Sequence, residues 1–320
     1  MPEESVDVTI VVVNYNTAHL LVPMRDAVER ARGALSLQTI VIDNASRDDS
    51  LGVLHREFGD AKIIANSTNV GFGRANNQAI EHVAGRYVLL LNTDAFISPD
   101  TLAKTVAFLD ANPDCGIVGV RLVGRDGEPQ PGCRNFPNPW NVFLLRAGLV
   151  RVFPKVRMID EPIGDGESAR ECDWVPGCYL LIRKSVIDEV GLFDPRYFLY
   201  FEEVDLCRRV KAAGWKVMYL PTTSVVHLGG ESAKSDGALT ASGQQISALQ
   251  IESELLYYRK HFGLLGLVGF VSLSWLTDMI HAAKWLIRGR PMRGLRPTRD
   301  HAASSAALLF RTRFGSVPTR

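Results

Sequence analysis

Cysteine is scarce in this chain and follows no pattern. Its five cysteines, Cys115, Cys133, Cys172, Cys178 and Cys207, are an odd number without Cys-x-x-Cys spacing. That excludes a disulfide framework or a zinc ribbon as the basis of the fold and points to reduced thiols. Net charge is nearly absent too: 36 Lys+Arg against 35 Asp+Glu leave +1. Overall charge therefore gives no reason to expect nucleic acid as a partner. Residues 1–7 are acidic and lack the basic-then-apolar order of a secretory signal, so a cytoplasmic protein is expected. The apolar stretch 262–277 has sixteen residues without Asp, Glu, Lys or Arg, which is short for a membrane span. What is present is ample core material. The 320 residues are 46% hydrophobic and 22% charged, enough for one large or two ordinary globular domains.

The N-terminal half alternates strand and helix patterns. β-Branched or apolar runs at 8–13, 39–43, 62–65 and 87–91 read as strands buried on both faces. Helical patterns follow each, at about 18–31, up to 58, 73–83 and 99–109. This order predicts an α/β fold with a mostly parallel central sheet. Polar residues collect just past the strands: Asn14, Tyr15 and Asn16; Asp43, Asn44 and Ser46; Asn69 to Asn77; and Asn92, Thr93 and Asp94. Ligands of open α/β sheets bind outside the carboxyl ends of the strands, so four polar turns describe one site.

Gly71 and Gly73 invite comparison with a dinucleotide fingerprint, but Asn76 stands at the third glycine position and the motif follows the third strand. The dinucleotide reading is set aside, since its glycines belong in the first turn. Asp94 ends a buried strand, where one carboxylate beside a diphosphate can hold magnesium or manganese; an ordinary turn aspartate is the alternative.

The second half is less regular. Residues 115–123, 174–183 and 216–220 read as strands, with a short helix at 184–190. Residues 136–168 have weak periodicity and read as a mobile connection or lid. The stretch FLYFEEVDLCRR at 198–209 sets Glu202, Glu203 and Asp205 among large apolar residues. Burial raises a carboxylate's pKa and makes a general base near neutrality, although acids also favour the first turn of a helix. His227 ends a strand pattern before Gly229 and Gly230, where it can ligate a metal, donate to a phosphate or simply bond locally. Beyond about 244 come an amphipathic helix, the apolar stretch 262–277, tryptophans and then Arg288, Arg290, Arg293, Arg296 and Arg299. That order predicts a helix lying in the membrane interface, the alternative being a helical hairpin packed on the domain or on a second copy in a homo-oligomer. The expected domains are 1–240 and a helical, membrane-associating 241–320.

Taken together, residues 12–16 (VVNYN), 43–46 (DNAS), 69–72 (NVGF) with Asn76 and Asn77, 92–94 (NTD), 191–194 (GLFD), 202–207 and His227 resemble glycosyltransferase family 2. The likeness is to bacterial rhamnosyltransferase-like members that build cell-surface polysaccharide, and it spans about residues 8–232. It implies the GT-A (nucleotide-diphospho-sugar transferase) fold with a C-terminal helical segment. It also implies a nucleotide-sugar site made by Asn14, Tyr15, Asn16, Asp43, Asn44, Ser46, Asn69, Gly71, Phe72, Asn76, Asn92, Thr93 and Asp94. Asp43 matches the acid that recognises a pyrimidine. Asp94 matches the last acid of the Asp-x-Asp metal motif, with Asn92 at the first, and His227 matches a metal or diphosphate ligand. The implied cofactor is Mg2+ or Mn2+. Glu203 stands where the family's base resides, with Glu202 in reserve. The implied reaction is inverting, metal-dependent transfer of a sugar from a nucleoside diphosphate donor to a glycan or lipid-linked acceptor at the inner face of the cell membrane. dTDP-rhamnose leads as donor, followed by UDP-sugars. The rivals are a non-catalytic nucleotide-sugar- or glycan-binding protein and a nucleotidyltransferase.

Overall fold

The computed structural model describes residues 6–153, 155–157, 168–229 and 248–320. They fall into two compact units. The first holds 6–134, 168–195 and 202–229, and the second holds 135–153, 155–157, 196–201 and 248–320. The expected domain boundary at 240, together with Gly230 to Ser232, lies outside the described residues.

In the first unit one mixed sheet carries β1 (Val8–Asn14), β2 (Leu37–Asp43), β3 (Lys62–Ala65), β4 (Tyr87–Asn92), β5 (Ala95–Ile97), β6 (Cys115–Val123), β7 (Pro129–Gln130), β8 (Arg170–Glu171), β9 (Tyr179–Arg183) and β10 (Lys216–His227). Its order is β3-β2-β1-β4-β9-β6-β10-β5, with β7 on β6 and β8 on β10. The pairs among β1 to β4 and the pair β6–β10 are parallel; β9 runs antiparallel to both β4 and β6. The helices of this unit are α1 (Ala18–Ala31), α2 (Ser50–Glu57), α3 (Phe72–Gln78), α4 (Thr101–Ala111), α6 (Lys184–Val190) and α7 (Glu202–Ala212). Helix α5 (Pro139–Ala147) belongs to the second unit.

The strands form as the apolar runs predict. Ile10, Val12, Val41, Leu89, Leu91 and Leu181 are all enclosed in one core cluster with Leu21, Met24 and Val106 from the covering helices. The strand pattern at 216–220 extends to His227, and the register against β6 slips between Leu220 and Ser224. Pro221 sits in that slip because it has no N–H for the ladder. None of the five cysteines is in a disulfide among the described residues, and all five are buried.

Within 136–168, read as a mobile connection or lid, the second unit has a helix that the weak periodicity did not show. Residues 139–147 are helical, started by a capping box. Asn138 Oδ1 accepts from the backbone N–H groups of Trp140 and Asn141, both at 3.0 Å, and Asn141 Oδ1 accepts from Asn138 N at 2.8 Å. Gly148, at φ 70°, ends the helix. Residues 154 and 158–167 of that stretch lie outside the described residues. Ala248–Ile287 is helical, with a break at Gly263, where φ is 68°. A last helix spans Arg296–Arg311. In the same unit Tyr200 and Phe201 both take left-handed backbone, at φ 73° and 69°. Ser253 Oγ donates to the Leu199 carbonyl at 2.8 Å, and the Phe201 ring packs on Tyr257 at 5.0 Å. Such contacts offset the strain of non-glycine residues at positive φ.

Candidate active site

The parallel strands β1, β2 and β4 deliver their carboxyl ends to one edge of the first unit. There the polar turns knit together. Asn14 Nδ2 donates to Asp43 Oδ1 at 2.7 Å and to Ser46 Oγ at 3.0 Å, while Ser46 N donates to Asp43 Oδ2 at 3.1 Å. Asn16 and Ala45 adopt left-handed backbone at φ 54° and 67°. Asn16 N donates to Ser46 Oγ at 2.9 Å, and Arg47 N to Asn16 Oδ1 at 2.6 Å. Next door, Asn44 Nδ2 donates to Asn69 Oδ1 at 2.8 Å, and Gly71 N donates to the same oxygen at 2.9 Å. The result is a cleft of about 460 Å³ lined by Tyr15, Asp43, Ala45, Ser46, Arg47, Leu51 and residues 66–69. Asp43 is fully enclosed at its floor. Each of its oxygens accepts one bond, which leaves lone-pair capacity for a ligand N–H.

Several expected contacts sit away from that cleft. Phe72 packs against Phe193, with ring centroids 6.0 Å apart. Asn76 is enclosed and donates to the Phe72 carbonyl at 2.9 Å, a bond within its own helix. Its neighbour Asn77 pairs in both directions with the Phe193 backbone, at 2.7 and 3.0 Å.

Thr17 joins the first turn to the fourth strand end, its hydroxyl 2.9 Å from that of Thr93. Asp94, buried, follows, and its Oδ1 lies 3.7 Å from His227 Nε2. Antiparallel pairing of Ala95 with His227 brings the two together, and at 3.7 Å the contact is too long for a hydrogen bond. Asn92 Oδ1, two residues upstream of Asp94, is enclosed and has no hydrogen-bond partner among the described residues. Among the described residues no three His, Cys, Asp or Glu side chains cluster tightly enough to hold an ion by themselves. A carboxylate and an imidazole do fit a cation whose remaining ligands come from a diphosphate and water. The nitrogen donor suits Mn2+ better than Mg2+.

β9 brings the acids of α7 to the same place. Because it runs antiparallel, it starts at this edge rather than ending there. Asn92 N donates to the Cys178 carbonyl at 3.1 Å, and a Cβ on Gly177 would lie 3.6 Å from Glu203 Cβ. Burial pushes the Cys178 thiol up to about 12, with further upward contributions from the charges of Asp94 and Glu203. Both acids therefore lie around Gly177–Cys178.

Within α7 the three acids differ. Asp205 is enclosed and pairs with Arg209 at 2.8 Å, an ordinary i,i+4 bridge. Glu202 is buried and Glu203 half-buried, yet Oε2 of each is enclosed with no partner among the described residues. Burial raises the pKa of both. Glu202 is driven well above the usual carboxylate range, first by burial and then by the charge of Glu203. Glu203 is restrained by backbone N–H groups at the helix start and by the Arg134 guanidinium, which stacks over the Trp174 ring at 4.8 Å. The sequence reading missed Arg47, Arg134, Gly177 and Cys178. Their signals, a basic residue in the DNAS turn and a Trp-Val-Pro-Gly-Cys run before a strand, become meaningful only once strand direction is known.

Comparison with known proteins bears on the family and the fold. The profile of Glycosyl transferase family 2 matches residues 9–191. The N-acetylglucosaminyl-diphospho-decaprenol L-rhamnosyltransferase of Mycobacterium tuberculosis (strain CDC 1551 / Oshkosh) is 28% identical over 235 residues, covering 66% of this chain and 74% of that one. Rhamnosyltransferase WbbL of Escherichia coli (strain K12) is 27% identical over 167 residues, covering 49% of this chain and 60% of that one. Among solved structures, the mannosyltransferase PcManGT from Pyrobaculum calidifontis, in complex with GDP-Man and Mn2+, superposes with a TM-score of 0.54 at 16% identity, covering 98% of this chain and 88% of that one. At that identity the superposition speaks for a GT-A-like fold alone.

Proposed function

The chain belongs to glycosyltransferase family 2 and is a glycosyltransferase, and on that premise we propose that it moves rhamnose from dTDP-rhamnose, with inversion, onto a hydroxyl of a lipid-linked or polysaccharide acceptor. UDP-sugars are the next donors. The observation that carries the reading is the approach of Asp94, His227 and the enclosed Glu203 carboxyl around Gly177–Cys178. The donor preference draws on the two relatives named for rhamnosyl transfer. The acceptor class draws on the mycobacterial relative's name, which specifies a diphospho-decaprenol carrier.

Tyr15, Arg47 and Asn69 line the cleft assigned to the nucleoside, where Asp43 takes a base N–H. Asp94 and His227 would hold Mn2+ or Mg2+ beside the donor diphosphate, where the cation would offset the charge that grows as the diphosphate departs. Glu203 takes the proton of the acceptor hydroxyl as its oxygen bonds to the anomeric carbon and the sugar–diphosphate bond breaks. One displacement inverts that carbon. Burial raises both carboxyls of the acidic pair, Glu202 further than Glu203, which makes Glu203 the member that gives up its proton first as pH rises.

A panel of nucleotide sugars with MnCl2 tests the donor assignment. dTDP-rhamnose should raise the unfolding midpoint most, because a ligand bound only by the native state stabilises it. Inversion is checked by NMR of the product's anomeric centre. Equal shifts from every donor would reject the specificity, and pyrophosphate release from dTTP would mark nucleotidyl transfer instead.

We assign a lipid surface to the second unit. Ala248–Ile287 is long and apolar enough to cross a bilayer by length and composition, with 28% of its most apolar window buried. Past Gly263 it exposes several large apolar residues: Leu265 is 87% and Ile287 85% exposed, with Val268, Trp275 and Met279 between. Two of its charged groups bond within the unit. Lys284 donates to the Ala147 carbonyl at 2.9 Å, and Asp278 pairs with His301 at 2.8 Å. Large apolar side chains exposed along one helix suit a surface lying in lipid, and Arg288, Arg290, Arg296 and Arg299 supply attraction to anionic headgroups. The paired substitution Leu265→Glu with Ile287→Glu should weaken co-sedimentation with phosphatidylglycerol vesicles about tenfold or more, given roughly 1.5–3 kcal/mol per buried aliphatic side chain. Unchanged sedimentation would reject the assignment.

A further inference from the structure

We infer that Gln130 is a positioning residue for His227, holding the imidazole in the tautomer that presents an unprotonated Nε2 to the cation. The inference rests on the metal reading above and extends it to a residue with no part in the family motifs described.

Gln130 occupies the two-residue strand β7, paired opposite Leu122 after the turn at 124–127. It lies 97 residues from His227, yet meets it at two points. Its Nε2 donates to the His227 carbonyl oxygen at 3.0 Å, and its Oε1 lies 3.1 Å from His227 Nδ1. The first bond settles the second. A carbonyl oxygen only accepts, so the amide must present N–H to it, and the face turned to the ring is then Oε1. An amide oxygen only accepts as well, so Nδ1 must carry the ring proton. A neutral imidazole protonated at Nδ1 has its lone pair on Nε2, and Nε2 is the atom facing Asp94 Oδ1 at 3.7 Å. The Oε1 contact with Nδ1 also restrains rotation of the ring, while the Nε2 bond to the His227 carbonyl holds the amide in place. Hydrogen bonds of this kind orient metal-ligating histidines, and their loss typically costs 10- to 100-fold in metal affinity.

Three measurements test this on the full chain. In the metal-free protein, 15N-edited NMR of the histidine rings should show His227, identified by its loss in His227→Ala, as the Nδ1–H tautomer. Finding Nε2–H would overturn the inference whatever the metal does. In Mn2+ titrations with dTDP, followed by electron paramagnetic resonance, Gln130→Met keeps the length of the side chain but removes both bonds; it should weaken Mn2+ binding tenfold or more. Gln130→Glu retains the acceptor opposite Nδ1 and should recover most of that affinity. Equal losses in both variants would overturn the inference, because the acceptor would then not be what matters. Gln130→Met binding within twofold of the parent would also overturn it. If the parent itself binds no Mn2+ with dTDP, the metal reading fails, and the histidine NMR alone then decides the tautomer.

Discussion

Replacing Glu203 with glutamine should lower sugar transfer by about 10²- to 10⁴-fold, the range a positioned general base contributes, while leaving the thermal shift given by the donor in place. Glutamine keeps the shape and loses only the proton acceptor. The Glu203 carboxyl is enclosed at Oε2 and its pKa is raised by burial, so the acid limb of kcat/KM should lie above the ordinary carboxylate range. The stability change should have the opposite sign to the activity change. A carboxyl whose native pKa is raised holds its proton to higher pH in the native state than in the unfolded one. Its stabilising contribution is complete below the unfolded pKa and is lost as pH rises through the native pKa. Glutamine removes that loss, and removes the like charge facing Glu202. The variant should therefore unfold at a higher temperature than the parent at pH 8, with the gap closing below about pH 4. A variant that folds, binds donor and turns over at the parent rate would transfer the base role elsewhere, with Glu202→Gln the next substitution to measure.

What could be read from the chain follows from how its elements signal themselves. β1 to β4 carry apolar runs ending in polar turns, and parallel strands place all such ends on one edge. Asn14, Asp43, Asn69 and Asp94 could thus be grouped without coordinates. β9 carries the same kind of apolar run, but nothing in TyrLeuLeuIleArg encodes that it runs the other way. Direction decides everything there: only an antiparallel β9 begins at the site and lays Gly177–Cys178 between Asp94 and Glu203. Gln130 was invisible for a related reason. Its partner is 97 residues away, and its two-residue strand is too short to show a period. The helix within 136–168 did have a local signal. Asn138, followed by proline and then Asn141, is a helix start written with two asparagines instead of a Ser/Thr–Glu pair. The acids of α7 were ambiguous because one turn contains both kinds: Asp205 bridges to Arg209, while Oε2 of Glu202 and of Glu203 is enclosed with no partner among the described residues.

Asp94→Asn should reduce Mn2+-dependent transfer by about 10²- to 10³-fold, the scale of removing one charge-stabilising contact from a transition state. The size follows from how few protein ligands there are. Among the described residues Asp94 and His227 form a pair with no third acid, cysteine or histidine close enough to complete a site. An ion held by two side chains depends on the donor diphosphate for the rest of its shell, so cation and nucleotide should bind cooperatively. By linkage, the factor by which dTDP tightens Mn2+ equals the factor by which Mn2+ tightens dTDP. Asparagine keeps an oxygen but removes the charge, so it should weaken both to the same degree. Binding of dTMP, which lacks the second phosphate, should change little, because the cleft of Tyr15, Arg47 and Asn69 is built from other loops. Calorimetric titration of dTDP and dTMP, each with and without MnCl2, separates these effects. If Asp94→Asn weakens dTMP as strongly as dTDP, the carboxylate supports the nucleoside cleft rather than the cation. If it keeps Mn2+-dependent transfer within threefold of the parent, the charge that offsets the leaving diphosphate comes from another residue, and Arg134, already close enough to hold down the Glu203 pKa, is the side chain to test next.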